Sequence, residues 1–171
     1  MTFMQRIPLL LILSVLYMGP TDALAQTTKY GVTVDVSNAP ALLKASTYAF
    51  VAGQPAYDKA LDALIISAID REMTARGMKK VSSGPSDVVV TYLSVRRTDV
   101  DLKSKPKDGN LREYPVGTLV VSVTDPVDRQ KALFTARSDA PLDLNPATYE
   151  ATVKTITAAI FEKYPRKVAA Q

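Results

Sequence analysis

The sequence of 171 residues contains no cysteine, no histidine and no tryptophan. Without cysteine the chain forms no disulfide and has no thiol nucleophile. Without histidine it lacks the general base of the usual serine triad and the commonest nitrogen ligand of zinc. These absences exclude most familiar enzyme mechanisms, and no motif specifies a substrate or a reaction. The sequence therefore favours a non-enzymatic protein with no cofactor and no metal.

The overall composition is that of an ordinary globular domain, with 47% apolar residues, 22% charged residues and a formal net charge of +4. A net charge of this size is mild for a nucleic-acid-binding protein, which usually concentrates its basic residues on one helix or stripe. We therefore expect no nucleic acid among the partners.

The first 25 residues have the pattern of a signal peptide. Arg6 precedes an almost unbroken apolar run over residues 7–18, and Ala23 and Ala25 have the spacing of a signal-peptidase site. The run is shorter than the roughly 20 residues that a helix needs to cross a bilayer. Gln26 follows the predicted cleavage point in place of the cysteine that a lipid anchor requires. The sequence thus predicts a single soluble domain over residues 26–171, periplasmic or secreted, with neither a transmembrane span nor a lipid anchor.

Hydrophobic periodicity in this domain predicts two long helices and at least four strands. The helices are expected from Asp58 to Arg76 and from Asn145 to Tyr164, each with one apolar stripe that we assign to the core. Alternating or β-branched runs predict the strands, a short one and five longer ones. These runs are Tyr30 to Val36, Thr47 to Val51, Met78 to Val81, Asp87 to Arg97 with a continuation toward Leu102, Val116 to Asp125, and Lys131 to Ser138.

The order of these elements predicts an α+β fold. Most of the strands follow one another through turns, as in hairpins, and each helix needs one covered side. We expect a largely antiparallel sheet of at least four strands, with two principal helices packed on one face.

Five segments together resemble the bacterial envelope family known as domain of unknown function 4136. They are Val-Asp-Val at 34–36, Thr-Tyr-Ala-Phe-Val at 47–51, Ala-Arg-Gly-Met at 75–78, Ser-Asp-Val-Val-Val-Thr-Tyr at 86–92 and Gly-Thr-Leu-Val-Val-Ser-Val-Thr-Asp at 117–125. The resemblance implies a one-domain α+β envelope protein with no established activity, and it transfers no catalytic residue. Members of that family often carry a lipid-modified cysteine, which is absent here, and a tryptophan in the last strand, where this chain has Phe134.

The acidic residues offer little chemistry in this pattern. Asp58 and Asp62 lie in the first two turns of a predicted helix, where the helix dipole accounts for them. Asp99 and Asp101 alternate on a strand and share one face, which is compatible with calcium. Because a calcium loop needs more ligands, a solvated strand edge is the favoured interpretation.

One local charge bias remains, in the long hairpin between Arg96 and Arg112, where six basic residues stand against three acidic ones. This patch would attract an anionic envelope component, such as a phosphorylated lipid head group or an acidic glycan, or an acidic protein. Alternatively, the lysines only keep an exposed hairpin soluble and prevent edge pairing. The cations of the patch are Arg96, Arg97, Lys103, Lys105, Lys107 and Arg112.

The sequence therefore predicts an exported envelope protein with a binding, structural or accessory role. One alternative is a small-molecule or lipid carrier with an apolar pocket between helices and sheet, and another is a hydrolase with a carboxylate mechanism. A pocket of several hundred cubic ångströms lined by apolar groups would favour the carrier, whereas a solid core with an exposed apolar or basic patch would favour the binding module.

Overall fold

The structure is a computed structural model that describes residues 31–51, 53–103 and 109–166 of the chain. The predicted signal peptide and two cations of the hairpin patch, Lys105 and Lys107, lie outside the described residues. The strands and helices, in chain order, are β1 (Gly31–Val36), α1 (Ala39–Lys44), β2 (Thr47–Phe50), α2 (Lys59–Ala75), β3 (Lys79–Lys80), β4 (Val88–Asp101), β5 (Arg112–Thr124), β6 (Ala132–Pro141) and α3 (Tyr149–Glu162).

The strands form one six-stranded sheet in the order β1-β6-β5-β4-β2-β3. The pairs β1–β6, β6–β5 and β5–β4 are antiparallel, whereas β2 runs parallel to both β4 and β3. The α+β class is as expected, but the sheet is mixed rather than antiparallel throughout. The reason is the crossover through α2, because a helix between two strands returns the chain in the same direction.

One face of the sheet supplies the hydrophobic core. The register places Val90 of β4 opposite Val123 of β5, which in turn lies opposite Phe134 of β6. All three side chains are fully buried, in one cluster with Ile69 of α2 and Ile160 of α3. The apolar stripes of the two long helices are therefore core positions, as the sequence predicts.

The described residues form three α-helices, one more than the two principal helices that were expected, because a short helix follows β1. Asn38 accepts a hydrogen bond through Oδ1 from the backbone N–H of Ala41, at 3.1 Å, and Pro40 lies in the first turn. This is the usual cap of a helix N-terminus, and no helix was predicted between β1 and β2.

The other element boundaries shift by a few residues. β5 begins at Arg112 rather than Val116, and β6 continues to Pro141 rather than ending at Ser138. A 3-10 turn, Pro146–Thr148, precedes α3. The hairpin of β4 and β5 is thus longer than the periodicity indicated.

A buried arginine joins the C-terminal ends of the two long helices. Arg76 caps α2, and its guanidinium donates to the carboxylate and to the carbonyl of Glu72, both at 2.8 Å. It also donates to the carbonyl of Phe161 in the last turn of α3. The ring centroids of Phe161 and Tyr164 lie 5.1 and 5.9 Å from the guanidinium carbon. One cation therefore satisfies acceptors at two helix C-termini, where the helix dipole favours positive charge.

Candidate functional site

The basic patch of the sequence lies on the far half of the β4–β5 hairpin. The two strands pair from Val89 with Thr124 to Asp101 with Arg112. The near half, from Val88 to Tyr92, is buried, whereas from Val95 onward most side chains of β4 are exposed or half-exposed. We call residues 95–103 and 109–115 the far hairpin. Its exposure leaves it available for contacts outside the domain.

Arg96 and Arg97 point to opposite faces of the sheet, because successive side chains of a strand alternate. Arg96 shares the face of Tyr92, which is the side covered by the helices, and it is exposed. Arg97 lies on the other face. The two adjacent arginines thus do not act as one patch.

Arg97 is held in an ionic network on the face away from the core. It donates to Asp139 Oδ1 at 2.7 Å and to Thr118 Oγ1 at 2.6 Å, and it forms a longer ion pair with Asp99 at 3.3 Å. Hydrogen bonds from Arg137, and also from Thr118 and Arg97, hold the pKa of Asp139 well below its ordinary range. The Asp139 carboxylate is therefore shared by two arginines, Arg97 and Arg137, and Asp99 is a second counterion of Arg97.

Asp99 takes part in the same network, which bears on the calcium interpretation of Asp99 and Asp101. Within the described residues, no group of three or more acidic side chains is arranged to hold a metal ion. Asp99 Oδ1, which a metal ion would need as a ligand, already lies 3.3 Å from the Arg97 guanidinium. Asp99 is thus ion-paired to Arg97, and Asp101 accepts a hydrogen bond from the backbone N–H of Lys103 at 2.9 Å.

Three cations of the far hairpin form no close ion pair within the described residues, although Asp101 lies opposite Arg112 in the strand register. These cations are Arg96, Lys103 and Arg112, and all three are exposed. Leu102, next to Lys103, exposes 80% of its surface, and Leu111, next to Arg112, exposes 38%. The far hairpin therefore combines exposed positive charge with exposed apolar side chains.

An open cleft of about 690 Å³ lies beside Arg96, between the hairpin and the N-terminal ends of α2 and α3. The segment after β2 forms one side of this cleft. There Gln54 donates its backbone N–H to the carbonyl of Tyr92 at 3.1 Å. Gly53 permits this approach, since a Cβ atom there would lie 2.0 Å from the same carbonyl oxygen. Other lining residues are Tyr57, Leu61, Ser94, Gly117, Leu142 and Tyr149.

The cleft continues into a small apolar cavity between the two long helices and the sheet. This cavity has a volume of about 60 Å³, whereas pockets for small molecules usually measure about 300 to 1,000 Å³. Its walls include Ile65, Leu119, Val153 and Ile156. The space between helices and sheet is therefore nearly filled by side chains.

Two acidic residues of α2, Asp62 and Asp70, form hydrogen bonds that join the helix to the sheet. Asp62 accepts a hydrogen bond from the Tyr92 hydroxyl at 2.6 Å and from the backbone N–H of Ala56 at 2.8 Å. About two turns farther along α2, Asp70 accepts a hydrogen bond from the Tyr48 hydroxyl at 2.8 Å and another from Lys80 at 2.7 Å. Burial, and then the neighbouring carboxylate, raise the pKa of both tyrosines well above its ordinary value. The helix dipole was thus an incomplete explanation of Asp62, whose partner lies 30 residues away.

The sequence profile of the domain of unknown function DUF4136 matches residues 32–166. The chain belongs to the DUF4136 family. The match spans every strand and helix of the described structure except the first residue of β1. It confirms the family resemblance of the sequence segments. A comparison with curated proteins gives no match.

Among solved structures, this DUF4136 domain is similar to the PelC dodecamer from Paraburkholderia phytofirmans, in two crystal forms. For both structures, 12% of residues are identical and the alignment covers 81% of this chain and 100% of PelC. The TM-score is 0.54 for a PelC variant with a single substitution and 0.53 for PelC without it. A PDZ domain protein from Parabacteroides distasonis aligns over 79% of this chain and 36% of its own, with 14% identity and a TM-score of 0.47. At this identity the similarity to PelC shows the fold alone. None of the helices in the described part of the chain has the length and apolar character needed to cross a bilayer.

Proposed function

We propose that this DUF4136 domain is an exported envelope protein that binds an anionic envelope component through the far hairpin, without catalysis. The observation that carries the proposal is the set of exposed cations that form no close ion pair within the described residues, Arg96, Lys103 and Arg112, in contrast to the ion-paired Arg97. Lys105 and Lys107 add two further positive charges to the same segment of the sequence.

A phosphorylated lipid head group is the anion that fits these residues best. A lipid surface presents phosphates directly above hydrocarbon, and the exposed Leu102 and Leu111 stand next to Lys103 and Arg112. A free acidic glycan would leave these leucines in water. The carrier hypothesis has less support, because the apolar cavity of about 60 Å³ is too small for a lipid chain. The larger cleft of about 690 Å³ is open, and polar or charged residues such as Asp58 and Arg96 form part of its lining.

Reversing the charge of the hairpin tests this function. A variant with Lys103→Glu, Lys105→Glu and Lys107→Glu is expected to bind vesicles containing phosphatidylglycerol more than about a hundredfold more weakly than the parent, since each lysine near an anionic surface contributes about 1 kcal/mol. Vesicle sedimentation in about 0.1 M salt measures this, and raising the salt to about 1 M should release the parent protein.

The matched control makes the same charge change elsewhere, with Lys59→Glu, Lys131→Glu and Lys154→Glu at exposed positions of α2, the β5–β6 turn and α3. Both variants should unfold at nearly the temperature of the parent, because exposed charges add little stability. Equal vesicle binding by the two variants would refute the hairpin as the binding site. Binding to soluble alginate but not to vesicles would assign the patch to a glycan instead.

Export is the second part of the proposal, and it predicts a mature chain that begins at Gln26. Expression of the full sequence in a Gram-negative host, followed by N-terminal sequencing of the periplasmic fraction, should return Gln-Thr-Thr-Lys as the first residues. A variant with Ala23→Leu and Ala25→Leu should keep the precursor uncleaved, because the peptidase requires small residues there. A cytoplasmic protein that begins at Met1 would refute export.

A further inference from the structure

The two edges of the sheet are built differently. At one edge lies β3, which has only two residues, Lys79–Lys80, both exposed lysines. Short edge strands and lysines are common devices against edge pairing. At the other edge lies β1, Gly31–Val36, with six residues and neither lysine nor proline. The exposed β1 edge lacks both of these protections.

The backbone of β1 directs alternate hydrogen-bonding groups away from β6, in a regular row. The N–H of Ser37 donates to the carbonyl of Leu133 of β6 at 3.0 Å. Because the bonds of an antiparallel ladder alternate, Val32, Val34 and Val36 direct their N–H and C=O groups away from β6. The side chains of Val32 and Val36 are exposed by 37% and 36%. Among the described strands, only β6 pairs with β1.

We propose that β1 pairs antiparallel with β1 of a second copy of this chain, about a twofold axis at Val34. In this register the outward groups of Val32, Val34 and Val36 all find partners, and Val32 lies opposite Val36 of the second copy, which joins the two exposed apolar side chains. On the other face Thr33 lies opposite Asp35 of the second copy, a pair that can form a hydrogen bond.

The charge pattern of the strand selects this axis over its neighbour. An axis at Asp35 would place two carboxylates directly opposite each other, which is destabilising. With the axis at Val34, β1 is complementary to itself in length, apolar pattern and charge. The sheet would continue across the twofold axis, with the helices of both copies on the same side. The proposal does not depend on the function of the far hairpin.

The absence of cysteine from the native chain allows a direct test of the register. In the proposed dimer the two copies of residue 34 form a hydrogen-bonded pair with Cα atoms about 5.5 Å apart, within the range for a disulfide. The mature chain, residues 26–171, with Val34→Cys is therefore expected to form a covalent dimer under mild oxidation. The control is Thr33→Cys, because residue 33 of the second copy lies two positions farther along the strand, beyond disulfide reach.

Association without a crosslink is measured by sedimentation equilibrium of the mature chain over a range of concentrations. Val34→Pro removes an outward N–H without breaking a bond to β6, and it should weaken dimerisation at least about tenfold. Val32→Lys provides a second test in case the proline variant folds poorly, and Val127→Lys, at a valine with 93% exposure in the β5–β6 turn, is the matched control that should associate like the parent.

Three results would overturn the proposal. The first is a parent chain that stays monomeric at every concentration. The second is a Thr33→Cys variant that crosslinks as readily as Val34→Cys, and the third is an equal change of association in Val32→Lys and Val127→Lys. Protection of the β1 amides from hydrogen exchange only in the presence of another protein would also refute the second copy and assign the edge to that partner.

Discussion

Replacing Arg76 by methionine is expected to lower the free energy of unfolding by about 3 kcal/mol, in the range observed when one partner of a buried ion pair is removed. The side chain of Arg76 is 6% exposed and that of Glu72 is 16% exposed. Methionine keeps the apolar contact with the rings of Phe161 and Tyr164 but donates no hydrogen bond. The Glu72 carboxylate and the Phe161 carbonyl would then be left without the guanidinium that satisfies them.

Thermal unfolding and urea unfolding measure this loss. For a domain of about 150 residues, 1 kcal/mol corresponds to roughly 2 to 4 °C, so the melting temperature should fall by roughly 6 to 12 °C. Glu72→Gln, which retains an acceptor for Arg76, should lose less, and the double variant Arg76→Met with Glu72→Met should recover part of the loss because no unpaired charge remains. An unchanged melting temperature in Arg76→Met would show that the arginine does not join the two helices.

Elements governed by local chemistry could be predicted from the sequence. α2 is an example, because its core contacts recur one turn apart at Ile65, Ile69 and Met73, and Asp58 caps its first turn. Gly77, with φ +77°, follows the helix in the left-handed conformation that glycine adopts without strain. These signals depend only on residues near each other in the chain.

The pairing of the strands could not be predicted in the same way. Periodicity shows which residues of β2 face the core, but it does not show that β2 pairs with β4 and β3 in parallel. The partner is fixed by the crossover of α2 and by tertiary packing. The helix α1 was missed because six residues are too few for an apolar period, although Asn38 and Pro40 supplied a cap signal.

The candidate site shows the same division. Counting charges along the chain located an exposed basic segment, and the structure places Arg96, Lys103 and Arg112 in it. Strand alternation separates Arg96 from Arg97, and this could have been recognised from the sequence. The ion pair of Arg97 with Asp139 could not, because that partner lies 42 residues away on another strand. The hydrogen bonds of Asp62 and Asp70 to distant tyrosines were beyond reach for the same reason.

Truncating the centre of the core should have the second large effect on stability. Ile69 of α2 and Ile160 of α3 are both fully buried, and Ile69→Ala or Ile160→Ala is expected to lower the free energy of unfolding by about 2 to 5 kcal/mol. Each change removes buried methyl groups and leaves a cavity that the surrounding strands cannot fill. Ile156→Ala is the matched control on α3, because Ile156 is only partly buried and already borders the small apolar cavity. In urea unfolding, with the same dependence of the free energy on urea concentration in every variant, Ile156→Ala should lose much less stability than the other two variants. A loss under about 0.5 kcal/mol for Ile160→Ala would show that α3 does not pack on the sheet.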